Sequence, residues 1–332
     1  MAFKPQIYTG LQAWVPILPR VCRLDRDEAI APHIAFAMMN VATTAAVDPV
    51  LTWVIPCKGR LAQLQQSLPV LMASAGHEPG VLFLVVDYDC PQHCGDWVES
   101  RYPQVKVVRL CNCPVFSLVK ARNAGASQVQ TPWLGFLDCD VLVTPEAISN
   151  LLPVLRAQSM AGASHHHLFV SESRQNELAG FLVCATSLFK RLEGYDETFE
   201  GWGAEDTDLR LRLQQAGCQA HLLPIGQLTA LLHDDSARTA FHLVKDRFLS
   251  LRINGLYLQV SRDLAQQMGI PQLPVEHRQG IYQQVKSTVL ANPRTAAQLE
   301  ITLPVSADVS APPGWQLKRR WLYSYEPLVI QA

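Results

Sequence analysis

The feature that most constrains this chain is an alternation that runs from Val50 to Val143. The β-rich apolar runs VLTWVIP (50–56), VLFLVVDYD (81–89), VKVVRL (105–110) and WLGFL (133–137) alternate with stretches of helical character. Leu61, Leu64, Leu68 and Leu71 predict a helix over Leu61–Ala75 with Gly76 as its stop, and Pro69 is expected to kink it or end it early. A helix through Trp97 and another over Val115–Gln128 follow. Strands joined through helices form an α/β sheet, and ligands gather outside the carboxyl ends of its strands. Charged residues stand at those ends: Lys58 and Arg60, Asp87 and Asp89, Asp138 and Asp140.

The segment PWLGFLDCDVLV (132–143) carries the most chemistry. Two carboxylates two apart on an extended chain share a face, where they repel unless a cation or donors compensate. A divalent metal carrying a diphosphate is one such compensator. The plainer alternative is a solvated turn after a strand. Cations at the end of the first strand, Lys58 and Arg60, suit a phosphate. Asp87 can accept from a ribose hydroxyl or a base N–H, and Lys120 and Asn123 share a helix face that can meet a nucleotide. For each of these an ordinary turn or solvated face is the competing reading.

Farther along, Glu177–Thr186, with Gly180, reads as a strand, Glu205–Ala216 as a helix stopped by Gly217, and CQAHLLP (218–224) and Leu228–His233 as short strands. Phe241–Val260 reads as a helix with Phe241, Val244, Phe248, Leu251 and Gly255 on one side. Between them lies GWGAEDTD (201–208): a flat ring between two glycines, suited to stacking on a sugar, then three acids opening a helix whose dipole favours them. Helix capping by Asp206 accounts for one acid and leaves the tryptophan unexplained.

The 332 residues carry 48% hydrophobic and 17% charged side chains, enough for a sizeable core and against disorder. A net charge of −1 lacks the basic excess of a nucleic-acid binder. Nine scattered cysteines suggest free thiols in a reducing compartment. Cys90, His93, Cys94, Cys111 and Cys113 form a loose zinc-like set, but their spacings are not those of common fingers. The triplet His165–His167 is weak evidence for a metal. The start of the chain shows no signal peptide, and the uncharged stretch Ala29–Val47 reads as a soluble helix rather than a membrane span, which together suggest a cytosolic protein.

Taken together these segments resemble the inverting GT-A glycosyltransferases, above all the β-1,4-galactosyltransferase family and the related family-2, chondroitin-synthase-like enzymes. WVIPCKGR resembles that family's first strand and its IPFRNR-like end, and FSLVKARNAG (116–125) aligns without a gap on its FNRAKLLNVG-like helix. FLDCDVLV resembles its D-x-D strand and GWGAEDTDLRLRL its GWGGEDDD segment, while His233 falls where the family has a metal-binding histidine. The likeness covers about residues 50–260, so a GT-A domain over 49–262 would lie between an N-terminal extension (1–48) and a C-terminal one (263–332) that shows no pattern tied to chemistry.

The resemblance implies that Asp140 and His233 hold Mn²⁺ or Mg²⁺ on the donor diphosphate and that Asp138 serves the ribose or the metal's edge. Lys58, Arg60, Asp87, Phe116, Lys120 and Asn123 would bind the nucleotide, Trp202 would ride a closing loop, Glu205 would bind the acceptor and Asp206 would be the base. A UDP-sugar donor of the galactose or N-acetylhexosamine type and a saccharide acceptor are implied. Three departures stand out. Leu118 replaces a family arginine, Ala230 a methionine near the metal, and Ala204 a glycine of the acceptor loop. A catalytically silent sugar- or nucleotide-binding module and a nucleotidyltransferase are the rival readings. Glu205 and Asp206 argue against the first. The lack of a glycine-rich basic loop directly after the first strand argues against the second.

Overall fold

The computed structural model describes residues 48–76, 78, 80–160, 167–172, 178–231, 239–304 and 318–326. The histidines His165, His166 and His233, and the helix expected before Val47, lie outside them.

The alternation becomes β1 (Leu51–Cys57), α1 (Leu61–Ala75), β2 (Val81–Tyr88), α2 (Cys94–Arg101), β3 (Lys106–Leu110), α3 (Leu118–Ser127) and β4 (Trp133–Phe136). Next come β5 (Val141–Val143), α4 (Pro145–Met160), β6 (His167–Ser171), β7 (Leu182–Ala185), α5 (Thr186–Arg191) and α6 (Glu205–Gln215). The remaining elements are β8 (Gln219–Leu223), β9 (Leu228–Ala230), α7 (Arg247–Gln267), α8 (Val275–Ala291), β10 (Ala297–Pro304) and β11 (Lys318–Tyr325).

Seven strands form one sheet in the order β3-β2-β1-β4-β7-β6-β8. β3, β2, β1 and β4 run parallel, as continuous apolar strands connected through helices must. β1 is buried at every residue, and the Trp53 and Trp133 side chains are wholly enclosed. β7 then runs antiparallel to β4, pairing Phe136 with Leu182. That reversal positions the site: the chain leaving β4 toward Asp138 meets the chain entering β7 from Gly180. β5 leaves the main sheet to pair with β9, pulling the chain after Asp140 outward.

Three local expectations are corrected. α1 runs straight through Pro69, since Leu64, Leu68, Leu71 and Ala75 bury one face and packing outweighs a missing N–H. The helix expected from Phe241 starts at Arg247, where the Asp246 side chain accepts from the backbone of Phe248 and Leu249 as an N-cap. Its buried face is Ser250, Ile253, Asn254, Tyr257 and Leu258, whereas Phe248 is 66% exposed. The strand expected over Glu177–Thr186 is confined to β7.

The segment after residue 262 is structured. α7 continues to Gln267, α8 packs against it, and β10 pairs with β11 as a hairpin. α8 also braces the loop before α6. Arg278 lies 2.5 Å from Asp196, Lys286 lies 2.5 Å from Glu200, and the Glu200 N–H donates to the Tyr282 hydroxyl at 3.2 Å. No helix among the described residues is long and apolar enough to cross a membrane.

Candidate active site

The site grows from three chain segments that the sheet reversal brings together. The first is the link between β4 and β5. Asp138-Cys139-Asp140 is a turn there, closed by the Val141 N–H donating to the Asp138 carbonyl at 3.1 Å, rather than the extended chain expected from the spacing. Both carboxylates nonetheless face one cleft of about 220 Å³. The second segment, Gly201 to Thr207, forms the opposite wall, with Glu205 and Asp206 as the first two residues of α6. The third is the end of β1, which contributes Lys58 and Arg60, and Phe116, just ahead of α3, also lines the cleft.

One residue that sequence reasoning passed over joins the two walls. Arg122 of α3 is fully buried. Its guanidinium donates to Asp138 Oδ1 at 2.8 Å and to Asp206 Oδ1 at 2.5 Å. It also donates to the Tyr195 hydroxyl at 3.1 Å, which in turn donates to Asp206 Oδ1 at 3.1 Å. The Tyr195 and Phe136 rings lie against its plane, at 5.1 and 5.8 Å. The close approach needs Gly180: a Cβ there would lie 2.4 Å from Arg122 and 2.7 Å from Asp138. A signal did exist, because Val119, Arg122 and Ala126 share the buried face of α3, where an arginine has no place unless it is paired. In the aligned family helix an arginine stands at position 118; here Leu118 takes that position in the cleft lining, and Arg122 lies one turn later.

Around this guanidinium the acids differ. Asp206 keeps a small opening to the cleft, its side chain 14% exposed. Glu205 is buried, its Oε2 has no hydrogen-bond partner, and burial together with the Asp206 charge raises its carboxyl to about 8. Burial thus favours the protonated form of Glu205, beside Asp206, which is held by an arginine and a tyrosine.

Several candidate donor residues have a different task. The buried Lys58 ammonium donates to the carbonyls of Tyr88, Asp89 and Cys113 at 3.1, 2.8 and 2.9 Å, so its three protons are committed to backbone. Asp87 accepts from the N–H groups of Cys90 and Gly95, fixing the turn into α2. Asn123 bonds the backbone of Tyr195 through both ends of its amide and also donates to Glu197. Lys120 is exposed and outside the cleft lining. These four hold or flank the site. Arg60, Phe116, Asp138, Asp140, Trp202, Glu205 and Asp206 face it.

Trp202 is seated rather than loose. Its N–H donates to Ser250 Oγ at 2.8 Å, Ser250 Oγ donates back to its carbonyl at 3.1 Å, and Arg247 stacks 5.0 Å from its ring. Gly201 and Gly203 take φ +75° and +100°. Ala204, in the place of the family's glycine, is forced to φ +73°, a conformation that costs an L-residue about 1–2 kcal/mol. Ala204→Gly is expected to stabilise the fold by roughly 0.5–1 kcal/mol once the greater freedom of glycine in the unfolded chain is subtracted. Chemical denaturation would show it as a higher midpoint at unchanged slope. A lower midpoint would contradict the strain.

The loose zinc-like set does not assemble as spaced in the sequence. His93 is exposed and faces Asp96, and Cys111 is disulfide-bonded, contrary to the expectation of free thiols throughout. Cys57, Cys90, Cys94, Cys113, Cys139, Cys184 and Cys218 are free.

A cleft with paired acids on both walls, at the carboxyl ends of parallel strands, is the setting in which the family comparisons become decisive. The family model described as glycosyl transferase family 2 matches residues 52–197, and that described as the N-terminal domain of galactosyltransferase matches residues 164–234. The chain is a glycosyltransferase. The two matched regions meet at the cleft: the first contains the Asp138–Asp140 turn and Arg122, the second Trp202, Glu205 and Asp206. Solved structures similar to this glycosyltransferase include the mannosyltransferase PcManGT from Pyrobaculum calidifontis in complex with GDP-Man and Mn²⁺, at 13% identity over 77% of this chain and 79% of that one, with a TM-score of 0.46. TarS from S. aureus is 14% identical over 74% of this chain and 92% of that one, with a TM-score of 0.44. A Drosophila β-1,4-galactosyltransferase 7 mutant complexed with manganese, UDP-Gal and xylobiose is 15% identical over 61% and 79%, with a TM-score of 0.42. No curated protein matches the chain.

Proposed function

We propose that this glycosyltransferase acts by metal-assisted inversion, moving a galactose- or N-acetylhexosamine-type sugar from a UDP-sugar to a saccharide acceptor. The observation that carries the reading is the opposition of two acidic pairs across one cleft, Asp138 with Asp140 and Glu205 with Asp206, linked through Arg122. Residues 49–262 are read as the transferase domain, flanked by extensions at 1–48 and 263–332.

On the donor wall, the carboxylates of Asp138 and Asp140 are the hard oxygen donors that Mn²⁺ or Mg²⁺ takes. The donor set fits such an ion by its chemistry, and Arg60 Nη1, 2.7 Å from Asp140 Oδ2, is the cation with which the ion would share that carboxylate. Asp140 would hold it together with His233, the partner expected from the sequence, with Asp138 at its edge. A bound ion would neutralise the diphosphate as a leaving group. Arg60 and Phe116 lie where the nucleotide half of the donor would enter, and Trp202 offers its ring to the sugar.

On the acceptor wall, Asp206 takes the proton of the attacking hydroxyl while Arg122 and Tyr195 fix its orientation. Glu205, holding its own proton, donates to an acceptor oxygen. Two neighbouring carboxyls in different environments divide these tasks between them. The base is thereby kept away from the phosphates, as a single in-line displacement requires.

Asp140→Ala is expected to abolish the Mn²⁺-dependent part of UDP binding, measured calorimetrically with and without Mn²⁺. An unchanged metal increment in that variant would remove Asp140 from the donor site.

A further inference from the structure

Behind the donor wall, three sulfurs converge from separate parts of the chain. Cys57 ends β1, Cys90 lies in the turn after β2, and Cys94 opens α2. Their Sγ atoms all lie within 4.8 Å of one another, and the residues are 1%, 6% and 0% exposed. A fourth thiol, Cys139, is 4% exposed and within hydrogen-bonding reach of Cys57, but lies outside the trio's mutual 4.8 Å, so it would have to move inward to complete the set. We propose that Cys57, Cys90 and Cys94, with Cys139 as fourth donor, form a structural zinc site distinct from the carboxylate metal position in the cleft.

The sulfur geometry is near closure. Tetrahedral zinc with Zn–S bonds of about 2.3 Å places its sulfurs about 3.8 Å apart, so the trio needs to contract by at most about 1 Å. Two features would meet a thiolate, although hydrogen bonding and burial raise the Cys57, Cys94 and Cys139 thiols while no metal is bound. The Gly59 N–H donates to Cys90 Sγ at 3.2 Å, and Cys94 is the first residue of α2, where the helix dipole favours negative charge.

Small apolar residues would fill this volume as well as cysteines do. What cysteine adds is a soft ligand. Soft thiolates select zinc while the hard carboxylates of the cleft select Mn²⁺ or Mg²⁺, so the two sites need not compete for one ion. Zinc here would tie the end of β1, which leads directly into Lys58 and Arg60, to the turn that carries Asp138 and Asp140. Its binding energy would count as folding energy for the floor of the cleft.

The test uses the full chain purified without chelator from zinc-supplemented cells. Elemental analysis should find about one zinc per chain, released when a mercurial titrates the thiols. Cobalt reconstitution of the stripped protein should give sulfur-to-cobalt charge-transfer absorption, which carboxylate ligands do not produce. That absorption should persist in Asp140→Ala and vanish in Cys90→Ser and Cys94→Ser. Should the serine variants fail to fold, the wild-type cobalt spectrum decides alone. A wild type without zinc, lacking the cobalt band and with these thiols freely titratable, overturns the proposal. A native mass two hydrogens short for a disulfide among these four cysteines overturns it as well.

Discussion

Asp206→Asn is expected to lower turnover by on the order of 10²–10⁴ while leaving nucleotide-sugar affinity near that of the wild type. The substitution keeps the shape that Arg122 and Tyr195 grip and removes the oxygen that accepts the proton. Asp206 meets the donor pair only through Arg122, from which an asparagine oxygen still accepts, so donor binding should change little. Glu205→Gln provides the contrast. Burial favours the protonated form of Glu205, so its amide analogue retains a hydrogen-bond donor at that position, and the loss should be smaller and expressed mainly in the acceptor KM. As the pH rises through about 8, wild-type Glu205 loses its proton and that donor, so acceptor binding should weaken there in the wild type but not in Glu205→Gln. A nearly active Asp206→Asn beside a dead Glu205→Gln would reverse the two roles. If both variants remained active, neither would be the base.

Arg122→Leu is expected to destabilise the protein by about 3–5 kcal/mol, the scale for removing one member of a buried charge network. The loss is that large because the guanidinium faces more than one acid. It contacts both Asp138 and Asp206 directly. Adding Asp206→Asn to Arg122→Leu should recover part of the loss, since one stranded charge is then removed, and the double variant would reveal the coupling between the two positions. Lowering the pH should narrow the deficit of the single variant, because protonating a stranded carboxylate relieves it. Denaturant unfolding of the wild type and both variants at two pH values would check this. Stability of Arg122→Leu within about 1 kcal/mol of the wild type would show that the network is not a stability element.

The parts of the fold that sequence made legible are those in which burial and period coincide. β1, β2 and β4 are continuous apolar runs because they are covered on both faces, and α1 matched its expected limits because Leu64, Leu68 and Leu71 fall at helical spacing. α8 was not read: Ile281, Val285 and Val289 fall four apart, but glutamines around that stripe diluted it. The start of α7 was placed too early because Phe241 and Val244 continue an apolar rhythm. Asp246 caps the helix after them, and Phe241 packs instead where a Cβ on Gly59 would lie. In the cleft, Asp138, Asp140, Glu205 and Asp206 were singled out because acids at strand and helix ends stand out in a local window. Arg122 was missed because a helical arginine looks solvated until its partners, 16 and 84 positions away, are folded beside it. Lys58, Asp87 and Asn123 show the complementary case. Their types suit a nucleotide, but backbone groups from other segments reach them first.

The props beneath the acceptor loop bear on the order in which the enzyme becomes competent during synthesis. Glu200 is held by Tyr282 and Lys286, 82 and 86 residues later in the chain. A ribosome delivers the amino-terminal part first, so β1 to β4, with the donor wall, can pack while α8 is still unmade. At that stage the loop leading to Glu205 and Asp206 has no such prop, and under the proposed mechanism the cleft becomes complete only when α8 has emerged and docked.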